Sequence, residues 1–256
     1  MELTDISTKT DATGLHSLGL SGKGVKIAIL DSGIDTTHPL FEGKDIKTIN
    51  LTDEPEEDQY QHGTHVASII FSLAPEATLL NIKVLDFEGK TSISKIMKAI
   101  EVACDEGANI INISGGEESG DCPDDHPLGR LILNKSFSGV MFVASAGNEG
   151  PKNRPFIPAS CRGVVAVGSM NDMMRTNRYS SRGPVCGRIY PDCVAFGDNV
   201  YAALPFNKYG FLSGTSQASP QVSAMLALMK EYCGKSFSKE QIDHFLSLSC
   251  SWIEQP

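Results

Sequence analysis

Five short runs, apolar at nearly every position, constrain this chain more than any other feature: VKIAILD (25–31), ATLLNIKVL (77–85), ANIINIS (108–114), GVMFVASAG (139–147) and GVVAVGSM (163–170). A strand with one wet face alternates apolar and polar residues. A run that is apolar throughout reads instead as a strand covered on both faces, which is the situation in a parallel sheet. Between the second and third runs, SISKIMKAIEVACDEG (92–107) places Ile93, Ile96, Met97, Ile100 and Ala103 at helical spacing. Thr91 or Ser92 can cap that helix and Gly107 can end it. Strand–helix–strand alternation predicts an α/β fold, a doubly wound, mostly parallel sheet with helices on both faces. No internal repeat and no linker-like stretch interrupts the pattern, so residues 1–256 read as a single domain.

In sheets of this kind, sites form beyond the carboxyl ends of the strands. The first run ends in Asp31-Ser32-Gly33, the third in Ser114-Gly115-Gly116 and the fourth in Gly147-Asn148-Glu149-Gly150. All three are polar groups on glycine-supported turns, where backbone can approach another group closely.

Composition narrows the partners. A chain of 256 residues that is 41% hydrophobic can bury a sizeable core. A formal charge of −9, from 22 Lys+Arg against 31 Asp+Glu, disfavours nucleic acid or an anionic membrane as partner. No apolar run approaches the roughly 18 residues of a membrane span, and MELTDISTKTDATG lacks the basic-then-apolar pattern of a signal peptide. Seven cysteines, an odd number without CxxC spacing, read as thiols in a reducing compartment rather than as a disulfide framework or a structural zinc site.

Two phosphate motifs are set aside. Gly89-Lys90-Thr91 looks like the end of a P-loop, but position 84 is Val where the earlier glycine belongs. Gly19, Gly22 and Gly24 precede a strand instead of following one. HGTH (62–65) offers two histidines three apart, which are metal ligands or members of a catalytic set; no further His or Cys lies nearby to complete a metal site. Asp31 alone is a turn residue or a catalytic carboxylate. Ser216, in FLSGTSQASPQV (211–222), is a helix cap or a nucleophile whose developing charge a helix N-terminus would stabilise. Together they supply carboxylate, base and nucleophile in the order Asp…His…Ser.

The chain resembles the subtilisin family of serine proteases. The resemblance rests on GLHSLGLSGKGVKIAILDSGIDTTHP (14–39), HGTHVASII (62–70), NIKVLDFEGK (81–90), IINIS (110–114), ASAGNEGP (144–151), SSRGP (180–184) and NKYGFLSGTSQASPQV (207–222), in the family's order over residues 14–230. It implies that Asp31 orients His62, that His62 takes the proton of Ser216, and that Asn148 with the Ser216 backbone N–H forms the oxyanion hole. It also implies that Ser114, Gly115 and Gly116 pair with an extended polypeptide substrate, and that Glu149 and Phe156 lie near the pocket for the residue before the cut.

Four departures from the family pattern set further expectations. The loop after VASIIFSL is too short for the family's tight calcium site, so no metal or other cofactor is expected. Gln217 stands where the family usually has Met. No pro-segment precedes Met1, so a cytoplasmic protein, or an excised domain of a larger one, is expected. Phe156 stands about where a small residue is usual, making that pocket shallower. Glu117, Glu118, Asp121, Asp124 and Asp125, with DEPEED (53–58), are solvated loops or an acidic rim for basic substrates. HVASIIF and INISGGE also resemble the proteases that mature cyanobactin-type ribosomal precursor peptides. DEPEEDQYQHGTH has no room for the helical insertion of the related macrocyclases, which favours hydrolysis over peptide transfer. The rival class is a non-catalytic binding module of the same fold.

Overall fold

The structure, a computed structural model, describes residues 1–119, 123–151 and 154–234. In chain order its strands are β1 (Lys26–Asp31), β2 (Ile46–Asn50), β3 (Thr78–Lys83), β4 (Ile110–Ile113), β5 (Glu117–Glu118), β6 (Met141–Ser145), β7 (Phe156–Ile157), β8 (Val164–Met170), β9 (Gly183–Val185), β10 (Arg188–Tyr190), β11 (Cys193–Phe196), β12 (Val200–Leu204) and β13 (Lys208–Leu212). The helices are α1 (Leu3–Lys9), α2 (Ala12–Ser17), α3 (Gly63–Leu73), α4 (Ile93–Asp105), α5 (Pro127–Phe137) and α6 (Thr215–Cys233).

All five apolar runs are strands of one sheet, ordered β11–β8–β6–β4–β1–β3–β2, and every neighbouring pair in it is parallel. Each strand is shorter than its run because the flanking residues leave the ladder for the turns. Alternate residues go to opposite cores, as burial on both faces requires. Ile27 and Ile29 of β1 join Val66, Ile69 and Ile70 of α3 and Leu226 of α6 in one core. Ala28 and Leu30 join Ile96 and Ile100 of α4 and Ile132 of α5 in the other. Ser92 caps α4, its Oγ accepting from the Lys95 N–H at 3.2 Å.

Two strands of the sheet were not readable from hydrophobic runs. Both β2 (IKTIN) and β11 (CVAF) lie at its edges, and β2 is only half buried. The sheet also has a switch point. From β1 the chain goes to one side, to β2 and β3, and then to the other, to β4, β6, β8 and β11. A crevice opens there beyond the carboxyl ends of β1 and β4.

One contact fixes the crevice. Gly63 opens α3 directly against the turn after β1, and a Cβ at Gly63 would run into the Gly33 carbonyl oxygen. Any side chain there pushes the helix off the sheet. Gly63→Ala is expected to lower stability by about 3 kcal/mol, read as a fall in the urea midpoint at an unchanged slope; a midpoint equal to that of the unsubstituted protein would contradict this packing.

Candidate active site

Asp31 ends β1 and is wholly buried. Its Oδ1 accepts from the Ser32 N–H at 2.7 Å, and the two carboxylate oxygens lie 2.8 and 3.0 Å from His62 Nδ1. With Nδ1 engaged, Nε2 is the nitrogen left to carry chemistry. His62 stands immediately before α3. Burial works against its charged form, but the Asp31 carboxylate, by charge and by hydrogen bond, and the charge of Asp58 outweigh that. The imidazole is therefore held above its usual value.

His65 behaves in the opposite way. It points into the core, with Nε2 3.1 Å from the Val200 carbonyl, and is wholly buried. Burial pushes its pKa down to about 4. The two histidines of HGTH therefore do not converge on a common ligand, and the catalytic-set reading of His62 is the one the geometry accommodates. No group of three or more His, Cys, Asp or Glu side chains suited to a metal ion occurs among the described residues. The turn after α3 is short and offers few oxygens. Between Leu73 and Thr78 the only side-chain oxygens belong to Glu76, which pairs with Lys23 at 3.7 Å, and the Pro75 carbonyl is taken by Lys44 Nζ at 2.9 Å. Calcium asks for six to eight oxygens.

Ser216 is the second residue of α6, at the positive end of the helix. Its Oγ donates to the Ser114 carbonyl at 2.9 Å, not to His62. Asn148 follows β6. Its Oδ1 accepts from the Thr215 N–H (2.9 Å) and the Thr215 hydroxyl (3.2 Å), so the amide Nδ2 is the end left for the cleft. Thr215 in turn accepts from the Gly147 N–H at 3.1 Å. Sequence reasoning missed Thr215, although the small polar residue directly before Ser216 was a signal. Beneath Ser114, a buried chain of hydrogen bonds joins Asn112, Ser114, Ser219 and Ser223 and ties β4 to α6.

His62, Ser114, Gly115, Gly116, Asn148 and Ser216 line one cleft of about 540 Å³, together with Gln217. Its apolar lining includes Leu85, Ile93, Ile96, Ile113 and Leu128. Two expected pocket residues lie outside this lining. Glu149 is exposed, and Phe156 sits behind Gly116 and Gly147. The acidic rim is also smaller than its sequence suggests. Glu118 pairs with Arg154 at 3.5 Å and Asp124 with Arg162 at 2.9 Å, whereas Asp58 is wholly buried. Glu117 does reach the cleft; Asp121 lies outside the described residues.

Residues 22–250 match the subtilase family. The chain is 37% identical over 249 residues to the major intracellular serine protease of Bacillus subtilis (strain 168), an alignment covering 90% of this chain and 75% of that protein. It spans only 56–58% of the length of several other curated relatives. Two solved structures superpose on it closely. The prenylagaramide maturation protease PagA does so at TM-score 0.77 and 29% identity, covering 91% of this chain and 85% of that one. A serine-to-alanine mutant of the protease domain of PatA gives 0.76 at 30% identity, covering 88% and 86%. The parallel sheet carries the Asp31–His62 pair and a serine at a helix N-terminus to one cleft. The chain belongs to the subtilase family, whose members act as subtilisin-type serine endopeptidases.

The buried His65 makes a prediction about stability. The folded protein keeps it neutral down to about pH 4, whereas the unfolded chain takes up the proton near pH 6.5. The resulting stability is complete above pH 6.5 and is lost as the pH falls towards 4, to the extent of about 3 kcal/mol. Urea titrations across that window should show the loss, and His65→Leu should flatten it. An equally steep loss in His65→Leu would rule His65 out as its source.

Proposed function

We propose that Ser216 is the nucleophile of this endopeptidase, His62 its general base and Asp31 the carboxylate that orients His62, with Asn148 Nδ2 and the Ser216 backbone N–H receiving the oxyanion. The observation that carries this is the Asp31–His62 pair, which leaves Nε2 to a cleft that Ser216 also lines. An extended substrate laid along Ser114–Gly116 takes the Ser114 carbonyl with its own N–H, as an added strand would. That displaces the Ser216 hydroxyl from its resting hydrogen bond and frees it to turn towards His62. Oγ then attacks the scissile carbonyl while its proton passes to Nε2. The tetrahedral intermediate collapses, the C–N bond breaks, and the leaving amine takes that proton. Water, deprotonated by the same imidazole, hydrolyses the ester and restores Ser216.

The substrate reading rests on Phe156. The β5–β7 pairing brings its ring between Gly116 and Gly147, in the two segments that flank Ser216. Ring atom Cε1 lies 2.7 Å from where a Gly116 Cβ would stand, and Cγ and Cδ2 lie 3.1 Å from that of Gly147. The ring occupies the slot between the two backbones, which leaves room for a small side chain before the cut. The apolar lining of the cleft suits an aliphatic side chain of the substrate. Likeness to the prenylagaramide maturation protease PagA supports a dedicated precursor peptide as substrate, and likeness to a protease named as intracellular supports a cytoplasmic setting. Residues 51–62, ahead of α3, contain bends and no helix, in keeping with hydrolysis rather than peptide transfer. No described helix is long and apolar enough to cross a membrane.

Mass-spectrometric cleavage profiling of a diverse peptide mixture tests this. The unsubstituted protein should cut after Gly, Ala or Ser, with or without a calcium chelator, and Ser216→Ala should make no cuts. Phe156→Ala should raise cleavage after Phe or Leu by about tenfold or more relative to Ala. Cuts that survive in Ser216→Ala would overturn the nucleophile assignment. An unchanged profile in Phe156→Ala would overturn the pocket reading. No cuts from any variant would favour the binding module.

A further inference from the structure

Asp58 reads in the sequence as the last residue of an acidic surface loop, yet it is wholly buried and both its oxygens are saturated. Oδ1 accepts from the Ser32 hydroxyl at 2.7 Å and the Gln61 N–H at 2.8 Å. Oδ2 accepts from the Thr64 N–H at 2.9 Å and the Thr64 hydroxyl at 2.6 Å. Four hydrogen bonds fill the lone-pair sites of its two oxygens. Its partners are not random neighbours. Gln61 directly precedes His62, Thr64 follows it by two, and Ser32 directly follows Asp31. Ser32 Oγ also accepts from the Gly63 N–H at 2.9 Å, which closes the ring of bonds around the histidine.

A buried cation holds the other side of this ring. Lys83 lies beside Asp31 in the β1–β3 register and is wholly buried. Its Nζ donates to the Ser32 carbonyl at 2.7 Å and the Glu57 carbonyl at 3.1 Å, joining the turn after β1 to the segment that carries Asp58. The groups facing His62 are therefore Asp31 from β1, Asp58 from the preceding loop, neutral His65 from α3 and the Tyr60 ring, 6.1 Å away between centroids, with Lys83 reached through Ser32. Two carboxylates and one ammonium sum to −1 when His62 is neutral and to zero when it is an imidazolium. In a low-dielectric site, that balance favours the charged imidazole.

We propose that Asp58 is the positioning carboxylate of this active site. It clamps the residues on either side of His62 to the residue after Asp31, and its charge stabilises the imidazolium formed when Ser216 gives up its proton. The proposal rests on His62 being the general base.

The test is Asp58→Asn, read in two ways. The His62 ring is titrated by NMR in the inactive Ser216→Ala background, and kcat and KM are measured against pH with Ser216 intact. The His62 midpoint is expected to fall by about half a pH unit or more, and the acidic limb of the rate profile should move down with it. We expect kcat to fall about tenfold with KM held within about twofold. A folded Asp58→Asn with an unmoved midpoint and limb would overturn the proposal and leave Asp58 a helix cap. If the limb of the unsubstituted protein fails to follow its own NMR midpoint, the general-base reading falls instead, a result the titration distinguishes. If Asp58→Asn does not fold by circular dichroism, Ser32→Ala decides, since it keeps the charge and removes two bonds of the ring, the one to Asp58 and the one from the Gly63 N–H. A lowered kcat at an unchanged His62 midpoint would support the clamp; full kcat would overturn it.

Discussion

The first turn of α3 lies so close to the end of β1 that there is no room for a side chain between them. Gly63 presses on the Gly33 carbonyl, and Gly33, at φ +103°, turns back under the Glu56 carbonyl, which would stand 2.6 Å from a Cβ there. This steric contact sets the distance from His62 to Asp31, and with it the imidazole's orientation and its charge preference. A helix seated slightly higher would keep every residue and lose the pair.

Burial then separates two histidines that are only three residues apart. His62, just ahead of the helix, is bonded to the Asp31 carboxylate, feels the charge of Asp58, and is drawn towards its charged form. His65, inside the first turn, meets the core and a backbone carbonyl and is kept neutral. Both are desolvated. The difference is whether opposite charge is supplied where water has been removed.

Across the crevice, the Ser114 carbonyl and the Ser216 hydroxyl meet in a single hydrogen bond; under the proposed function, an arriving substrate breaks it, so that occupying the cleft and releasing the hydroxyl are one event. Asn148 is held by the residue next to that serine, so the Asn148 amide and Ser216 are tied together. The Phe156 ring packs between two glycines, and on the rim Arg154 and Arg162 pair with Glu118 and Asp124, which weakens the acidic surface that the local sequence suggests.

The sequence by itself determined the strands buried on both faces, the helix over residues 92–107 and the positions of Asp31, His62, Asn148 and Ser216. The strands and Asp31 follow from local order, since apolar runs report two-sided burial and polar residues on glycine turns at strand ends mark the crevice of such a sheet. His62 and Ser216 stand out at the N-terminal edges of helices, and Asn148 is singled out by the resemblance to the subtilisin family. The edge strand β2 escaped because partial burial leaves no continuous apolar run, and β11 because its apolar run, CVAF, is very short. Asp58, Lys83 and Thr215 escaped for a different reason. Their roles come from partners brought in by folding, and nothing beside Asp58 in the chain distinguishes it from the exposed acids that precede it. Only the tertiary structure decided which carboxylate is buried, which rim charges are already paired and where the Ser216 hydroxyl rests. Those outcomes depend on desolvation and on hydrogen bonds between distant segments, and neither is written in the order of neighbouring residues.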